Sequence, residues 1–236
     1  MIDYELLKNE AENIGIELDT YGLDRFDSYA ERLVRWNQHV NLTSITEPDD
    51  IVIKHFADSL YPLKYVQMSE GQSLVDVGSG AGFPGLPMLI ANPQIEVNFV
   101  DSVGKKLAFV KDVLRNSGLF GTVTHKRAEE IGKDSEYREK YDYAVARAVA
   151  PLNILCEYCL PLVRLGGLFV SLKGPSGKEE LSQAENAIKT LGGELVKFEE
   201  YSLSNGDGRS LVIIRKISQT PTKYPRKSKK IDSRPL

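Results

Sequence analysis

The sequence predicts an α/β fold, with a parallel sheet that ends in an antiparallel hairpin and a helical cap in front. Three observations predict it. In Leu74–Gly85, LVDVGSGAGFPG, a short apolar run is followed by Gly78, Gly80 and Gly82, and then by Phe83-Pro84-Gly85. After Ser73, strand-like and helix-like runs alternate, a pattern that builds parallel sheets with right-handed crossovers. Before Ser73 there is no strand signal, only helical periodicity. At 236 residues and 42% hydrophobic, the chain is long enough to bury such a core.

Taken in order, residues 1–15 place Ile2, Leu6, Leu7 and Ile14 on one helical stripe. Residues 24–39 do the same with Phe26, Tyr29, Ala30, Leu33, Val34 and Trp36, after a cap near Asp19-Thr20. Asn41-Leu42-Thr43-Ser44 breaks the pattern, and Ile51–Leu63 resumes a helix with Pro62 near its end. The first core strand is Ser73–Val77. Pro84 suits the first turn of the helix Leu86–Ala91, because a missing N–H costs nothing there. Strand Ile95–Val100 runs into Asp101, and helix Lys105–Ser117 stops at Gly118. A short strand, Thr122–Thr124, precedes Arg127-Ala128-Glu129-Glu130. Strand Tyr141–Ala146 ends at Arg147, and helix Leu152–Leu162 follows Pro151. Strand Leu168–Leu172 leads to Lys173, and helix Lys178–Leu191 stops at Gly192-Gly193. The alternating runs Glu194–Leu203 and Arg209–Ile217 flank Ser204-Asn205-Gly206-Asp207-Gly208, a hairpin turn by composition. The expected organisation is a cap over residues 1–65, an α/β domain over 66–219 and an irregular tail over 220–236.

Composition narrows the class. No stretch approaches the roughly 20 apolar residues that span a bilayer, and the acidic, amphipathic N-terminus is wrong for a signal peptide. A soluble, cytoplasmic protein is expected. Two cysteines exclude a disulfide framework. Cys156-Glu157-Tyr158-Cys159 lies in an apolar helix with no further Cys or paired His, so no metal is expected. The net charge of −3 hides a basic end: from Arg215 onward there are about eight Lys/Arg against one acid. The body is therefore acidic and the end basic.

In an open parallel sheet, ligands sit outside the carboxyl ends of the strands. The residues that matter are then Gly78, Gly80, Gly82, Asp101, Ala128, Glu129, Arg147 and Lys173. Glycines let the backbone approach a ligand closely, and helix-start N–H groups face it. Asp101, about 20 residues past the glycines, can accept both hydroxyls of an adenosine ribose. The glycines themselves are ambiguous: Gly78, Gly80 and Gly82 suit S-adenosylmethionine, whereas Gly80, Gly82 and Gly85 suit a dinucleotide. Asp76, inside the strand, favours the methyl donor, since a carboxylate there can orient the loop near a cation.

The chain resembles the bacterial small-subunit (16S) ribosomal RNA guanine-N7 methyltransferases, the glucose-inhibited division protein B family. The segments that carry the resemblance are Asn41-Leu42-Thr43-Ser44, His55-Phe56-Ala57-Asp58-Ser59, Asp76–Gly85, Asp101-Ser102, Arg127-Ala128-Glu129, Arg147-Ala148-Val149-Ala150 and Lys223-Tyr224-Pro225-Arg226. The resemblance implies a Rossmann-like, seven-stranded class I methyltransferase sheet with S-adenosylmethionine as donor. It implies Gly78 and Phe83 along the methionine and sulfonium side, and Asp101 on the ribose. It also implies Ala128 and Glu129 at the adenine, and Arg147 beside both donor and base.

Guanine N7 carries an in-plane lone pair and no proton, so it can attack the sulfonium methyl without a general base. The sequence offers no obvious base either: His39, His55 and His125 form no evident constellation. Arg147 is the candidate catalytic residue, as an orienting group for guanine O6 or a phosphate. Lys105, Lys173, Lys223, Arg226 and Lys227 are candidate RNA contacts, with Tyr224 available for stacking. The expected partner is 16S ribosomal RNA or the small subunit, and the expected state a monomer. The competing readings are a methyltransferase of the same fold on another substrate, a nicotinamide-dependent oxidoreductase and a non-catalytic nucleotide-binding regulator.

Overall fold

The computed structural model describes residues 1–236. Its strands are β1 (Ser73–Val77), β2 (Glu96–Asp101), β3 (Thr122–His125), β4 (Tyr141–Arg147), β5 (Val163–Lys173), β6 (Gly193–Ser202) and β7 (Gly208–Lys216). They form one seven-stranded sheet in the order β3-β2-β1-β4-β5-β7-β6. β1 to β5 pair in parallel, while β7 runs antiparallel to both β5 and β6. The order reverses between β1, which pairs β2 and β4, so the crevice lies at the carboxyl ends of β1 and β4.

Alternation along the strands feeds two cores. Leu74, Phe99, Val145 and Val170 pack on one face with Phe26, Tyr29 and Leu33 of α2 (Thr20–Asn37) and with Phe109 and Val113 of α6 (Gly104–Ser117). Val75, Ala144 and Phe169 pack on the other, against α8 (Leu152–Cys159) and α9 (Gly177–Thr190). Asp3 caps α1 (Tyr4–Glu12) and Asp19 caps α2, each accepting from backbone N–H groups of the first turn. α6 stops at Gly118, which is left-handed at φ 61°. No helix is long and apolar enough to cross a membrane.

The structure departs from expectation in three places. Ile51–Leu63 is not one α-helix. After α3 (Pro48–Asp50), residues Ile51–Ala57 form a π-helical stretch, followed by α4 (Asp58–Leu60) and a 3₁₀ turn, Tyr61–Lys64. The wider turn buries Ile51, Val52, His55, Phe56 and Ala57 together, and seven residues are too few for a periodicity argument to separate it from an α-helix. β5 begins before Gly166-Gly167 rather than after. A Cβ on Gly167 would stand 2.5 Å from the Asp142 carbonyl, so glycine permits the close approach that continues the strand.

The third departure is the tail, which is packed, not irregular. Residues Ser228–Ser233 form α10, with Ile231 fully buried. Tyr224 is buried, and Arg138 donates to the Tyr224 and Thr220 carbonyls. Arg226 donates through its backbone N–H, Nε and Nη2 to the carboxylate of Glu157, the closest contact being 2.6 Å. Glu157 has no solvent exposure. Removing one partner of a buried ion pair strands the other charge. Arg226→Ala should therefore cost about 3 kcal/mol or more in chemical denaturation, while Lys227→Ala, on an exposed residue, should change stability by less than about 0.5 kcal/mol.

Candidate active site

The carboxyl ends of the strands open into two adjoining cavities. The first, about 430 Å³, is lined by Gly78, Gly80, Asp101, Ser102, Lys106, Ala128 and Glu129, among others. The second, about 590 Å³, is lined by Ile45, Lys54, His55, Asp58, Arg147, Lys173 and Arg209, among others. Both are of the size that small molecules occupy. They share one wall, the segment Ala148-Val149-Ala150 after β4.

The glycine loop is shaped by contact as well as by conformation. Gly78 has φ +71°, and a Cβ there would lie 2.6 Å from Val149 Cγ2. The shared wall therefore sits directly on the loop, and only glycine fits beneath it. Ala148, in that wall, also has a positive φ, 56°, which is rare for a residue with a side chain. Asp101 Oδ2 accepts from the Gly80 N–H at 2.9 Å and Oδ1 from the Val103 N–H at 2.7 Å. Each oxygen keeps a further lone pair at the cavity edge. Loop and carboxylate thus form a cradle that fits a ribose with its flanking groups.

The second cavity is organised around Arg147. Its Nη1 donates to the Lys54 and His55 carbonyls, each at 3.2 Å, and to Asp58 Oδ2 at 3.0 Å. Its Nη2 donates to His55 Nδ1 at 3.2 Å. Arginine is only a donor, so the His55 proton sits on Nε2 and is given to Thr43 Oγ1, 2.8 Å away. Burial and the neighbouring guanidinium push His55 down to about 3, which keeps the ring neutral. The guanidinium carbon lies 4.7 Å above the centre of the Phe83 ring, and Phe83 stacks on His55 at 4.4 Å. Asp58 completes the network: its Oδ1 accepts from Tyr201 Oη at 2.8 Å and lies 3.6 Å from Arg209 Nε. Thr43, His55, Asp58, Phe83 and Arg147, from four separate stretches of chain, therefore meet at one point.

The chain matches GidB, the family described as rRNA small subunit methyltransferase G, over residues 23–210. It is 46% identical over 235 residues to "Ribosomal RNA small subunit methyltransferase G" of Alkaliphilus oremlandii, and 43% identical over 233 residues to the protein of that name from Alkaliphilus metalliredigens; each alignment covers 98% of both chains. The chain belongs to this family. Family membership sets aside the dinucleotide oxidoreductase and the non-catalytic regulator. Among solved structures it is similar to TrmN from Thermus thermophilus, with a TM-score of 0.54 at 17% identity, covering 67% of this chain and 48% of that one. It is also similar to the [4+2]-cyclase SpnF, with a TM-score of 0.56 at 14% identity, covering 86% and 98% respectively. These two show the class I methyltransferase fold and nothing finer, and the cyclase is a reminder that fold alone does not assign chemistry.

The candidates divide between the cavities. Gly78, Gly80, Asp101, Ala128 and Glu129 line the first. Gly82, Phe83, Asp76 and Arg147 do not. Gly82 is a steric necessity, since a Cβ there would meet Leu86 at 2.3 Å. Phe83 is buried beneath Arg147, and Arg147 faces the second cavity. Asp76 lies under the loop, where its Oδ2 accepts from the Gly85 N–H at 2.9 Å and holds the start of α5 (Gly85–Ala91). Among the candidate RNA contacts, Lys173 is buried, donates to the Ala150 carbonyl at 2.7 Å and pairs with Glu180. Arg226 is committed to Glu157 and Tyr224 is packed, so none of the three presents a free surface group. Lys105, Lys223 and Lys227 are exposed. Lys106, Lys126, Tyr158, Ser228 and Asp232 line the first cavity without having been candidates for it. The two cysteines are fully buried, and burial pushes both thiols up, away from reactivity.

Asp76 makes a pH-dependent contribution. Burial pushes its carboxyl up from 3.8 to about 7, against the opposing pull of the Gly85 N–H and Arg147, and its Oδ1 has no partner. A folded-state value above the unfolded one means that the folded protein holds the proton longer, so stability falls as pH rises from 4 toward 7. Asp76→Asn should abolish that fall. Denaturation at a series of pH values should show the variant gaining on the wild type by a few kcal/mol between pH 4 and pH 8; a difference independent of pH would contradict it.

Proposed function

We propose that the chain transfers a methyl group from S-adenosylmethionine to N7 of a guanine in small-subunit (16S) ribosomal RNA. The observation that carries this is the pair of cavities separated only by Ala148-Val149-Ala150, one with a ribose cradle and the other lined by cations. When bound, S-adenosylmethionine supplies an electrophilic methyl on a sulfonium. Gly78, Gly80, Asp101, Ala128 and Glu129 would hold it, with Asp101 on the ribose hydroxyls.

The residues around the second cavity suit a nucleophile that brings its own lone pair. His55 is neutral, with both ring nitrogens engaged, and Asp58 is tied to Arg147 and Tyr201. Neither is free to take a proton, and guanine N7 has none to give. The chain's contribution is then alignment and exclusion of water. Arg147, fixed by four acceptors and an aromatic floor, is the orienting group for guanine O6 or an adjacent phosphate. The exposed Lys105, Lys223 and Lys227 would meet RNA phosphates, and a target base in folded RNA has to leave its stack to reach the cavity. A ribosomal RNA substrate places this work in the cytoplasm.

The test is labelled methyl transfer to small-subunit particles, followed by nucleoside identification. The expected product is 7-methylguanosine; a different methylated nucleoside would refute the assignment. Arg147→Ala should reduce the transfer rate by about 100-fold through lost alignment, with donor affinity within about twofold because Arg147 lies outside the first cavity. Asp58→Asn should reduce the rate by about tenfold in the wild type and add almost nothing in the Arg147→Ala background, since it acts through Arg147. Additive losses would mean that Asp58 works independently.

A further inference from the structure

We propose that the C-terminal helix is part of the donor site: Ser228 and Asp232, on one face of α10, form the wall that receives the adenine end of S-adenosylmethionine. This rests on assigning the first cavity to the donor. Both residues line that cavity together with the glycine loop, more than 120 residues earlier in the chain. They are four apart and therefore neighbours on the helix, with Ser228 Oγ 3.4 Å from Asp232 Oδ2.

Their position selects the adenine end rather than the methionine end. α10 packs on α8, and α8 on α7 (Ala128–Ile131), whose first residues, Ala128 and Glu129, line the same cavity. Tyr158 of α8 lies close to Ser228, Asp232 and Glu129 and also lines the cavity. Arg147, toward which a transferable methyl has to point, lines the second cavity, which adjoins the first along Ala148–Ala150.

The chemistry fits. The adenine edge offers an exocyclic amine with two N–H donors, flanked by ring-nitrogen acceptors. A carboxylate beside a hydroxyl supplies an acceptor and a group that can donate. Asp101 already accepts two backbone N–H groups at the ribose position, so Asp232 is a separate acid available on the adenine side.

The helix is anchored as a wall must be. Ile231 is fully buried, and just before α10 the Arg226–Glu157 pair and the Arg138 contacts fix the chain. The exposed Lys227, Lys229 and Lys230 lie in the same segment and remain accessible to solvent. One segment thus has an inner side on the donor and an outer, basic side.

The experiment is calorimetry with S-adenosylmethionine, S-adenosylhomocysteine and 5′-methylthioadenosine on three proteins: the full chain, a chain ending at Lys227, and the full-length S228A/D232N variant. The truncated chain should bind all three ligands about tenfold more weakly, and the double variant at least about threefold more weakly, by similar factors because all share the adenosine. Melting temperatures identify a truncated chain that has not folded. The double variant, changed only in two polar side chains, then decides alone. Donor affinity within twofold of the full chain in the folded variants would overturn the proposal. So would a loss seen with S-adenosylmethionine but not with 5′-methylthioadenosine, which would put the helix at the methionine end. If the full chain binds none of the three, the donor assignment fails and this wall with it; if it binds them and the variants bind equally well, only the wall fails.

Discussion

The guanidinium of Arg147 joins the helical cap to the carboxyl end of the sheet. It leaves the end of β4, crosses the Phe83 ring and ends on two carbonyls and an imidazole of the π-helical stretch and on the Asp58 carboxylate just after it. An arginine side chain so nearly buried, at 11% exposure, needs that many acceptors to offset its lost hydration. The wider π turn brings the acceptors to it, because the Lys54 and His55 carbonyls and the Asp58 carboxylate all face one point. The cap is therefore part of the second cavity's wall, and the cavity exists only where cap and sheet meet.

The partition between the cavities follows from a second constraint. Val149 rests on Gly78, so the loop under the first cavity and the segment dividing it from the second cannot move independently. The strained Ala148 lies in the middle of that segment. Strain held by surrounding contacts is common where geometry has to be kept for function. Here it holds the three-residue divider between the two cavities in place, and a donor in one and a base in the other can react only past its edge.

Much of the fold was legible because its signals are local. Apolar runs closed by glycine or by a charged residue marked six of the strands within a few positions and only the second half of β5, and Asp101 stood out because topology alone puts a strand-end acid at the crevice. The junction around Arg147 was not legible in the same way. Arg147 and His55 are 92 residues apart, and nothing local in either segment points to the other. The tail misled through composition: its many lysines and prolines suggested an irregular, RNA-facing end, while Tyr224 and Ile231 carried the packing. One signal did point to it, the single acid Glu157 in an otherwise apolar helix, since a buried carboxylate requires a cation from somewhere else in the chain. Gly82 and Phe83 were rightly placed in the loop region, but a motif reading cannot distinguish a glycine that faces a ligand from one that avoids Leu86.

The central claim is that donor and base occupy the two adjoining cavities and meet past the edge of Ala148–Ala150. A crystal structure of the complex with S-adenosylmethionine tests it most directly. The account predicts the ribose hydroxyls on Asp101, the adenine between Ala128 and the C-terminal segment, and the sulfonium methyl directed past Ala148 toward the Arg147 guanidinium. A donor bound with its methyl directed away from Arg147, or bound outside this crevice, would contradict it.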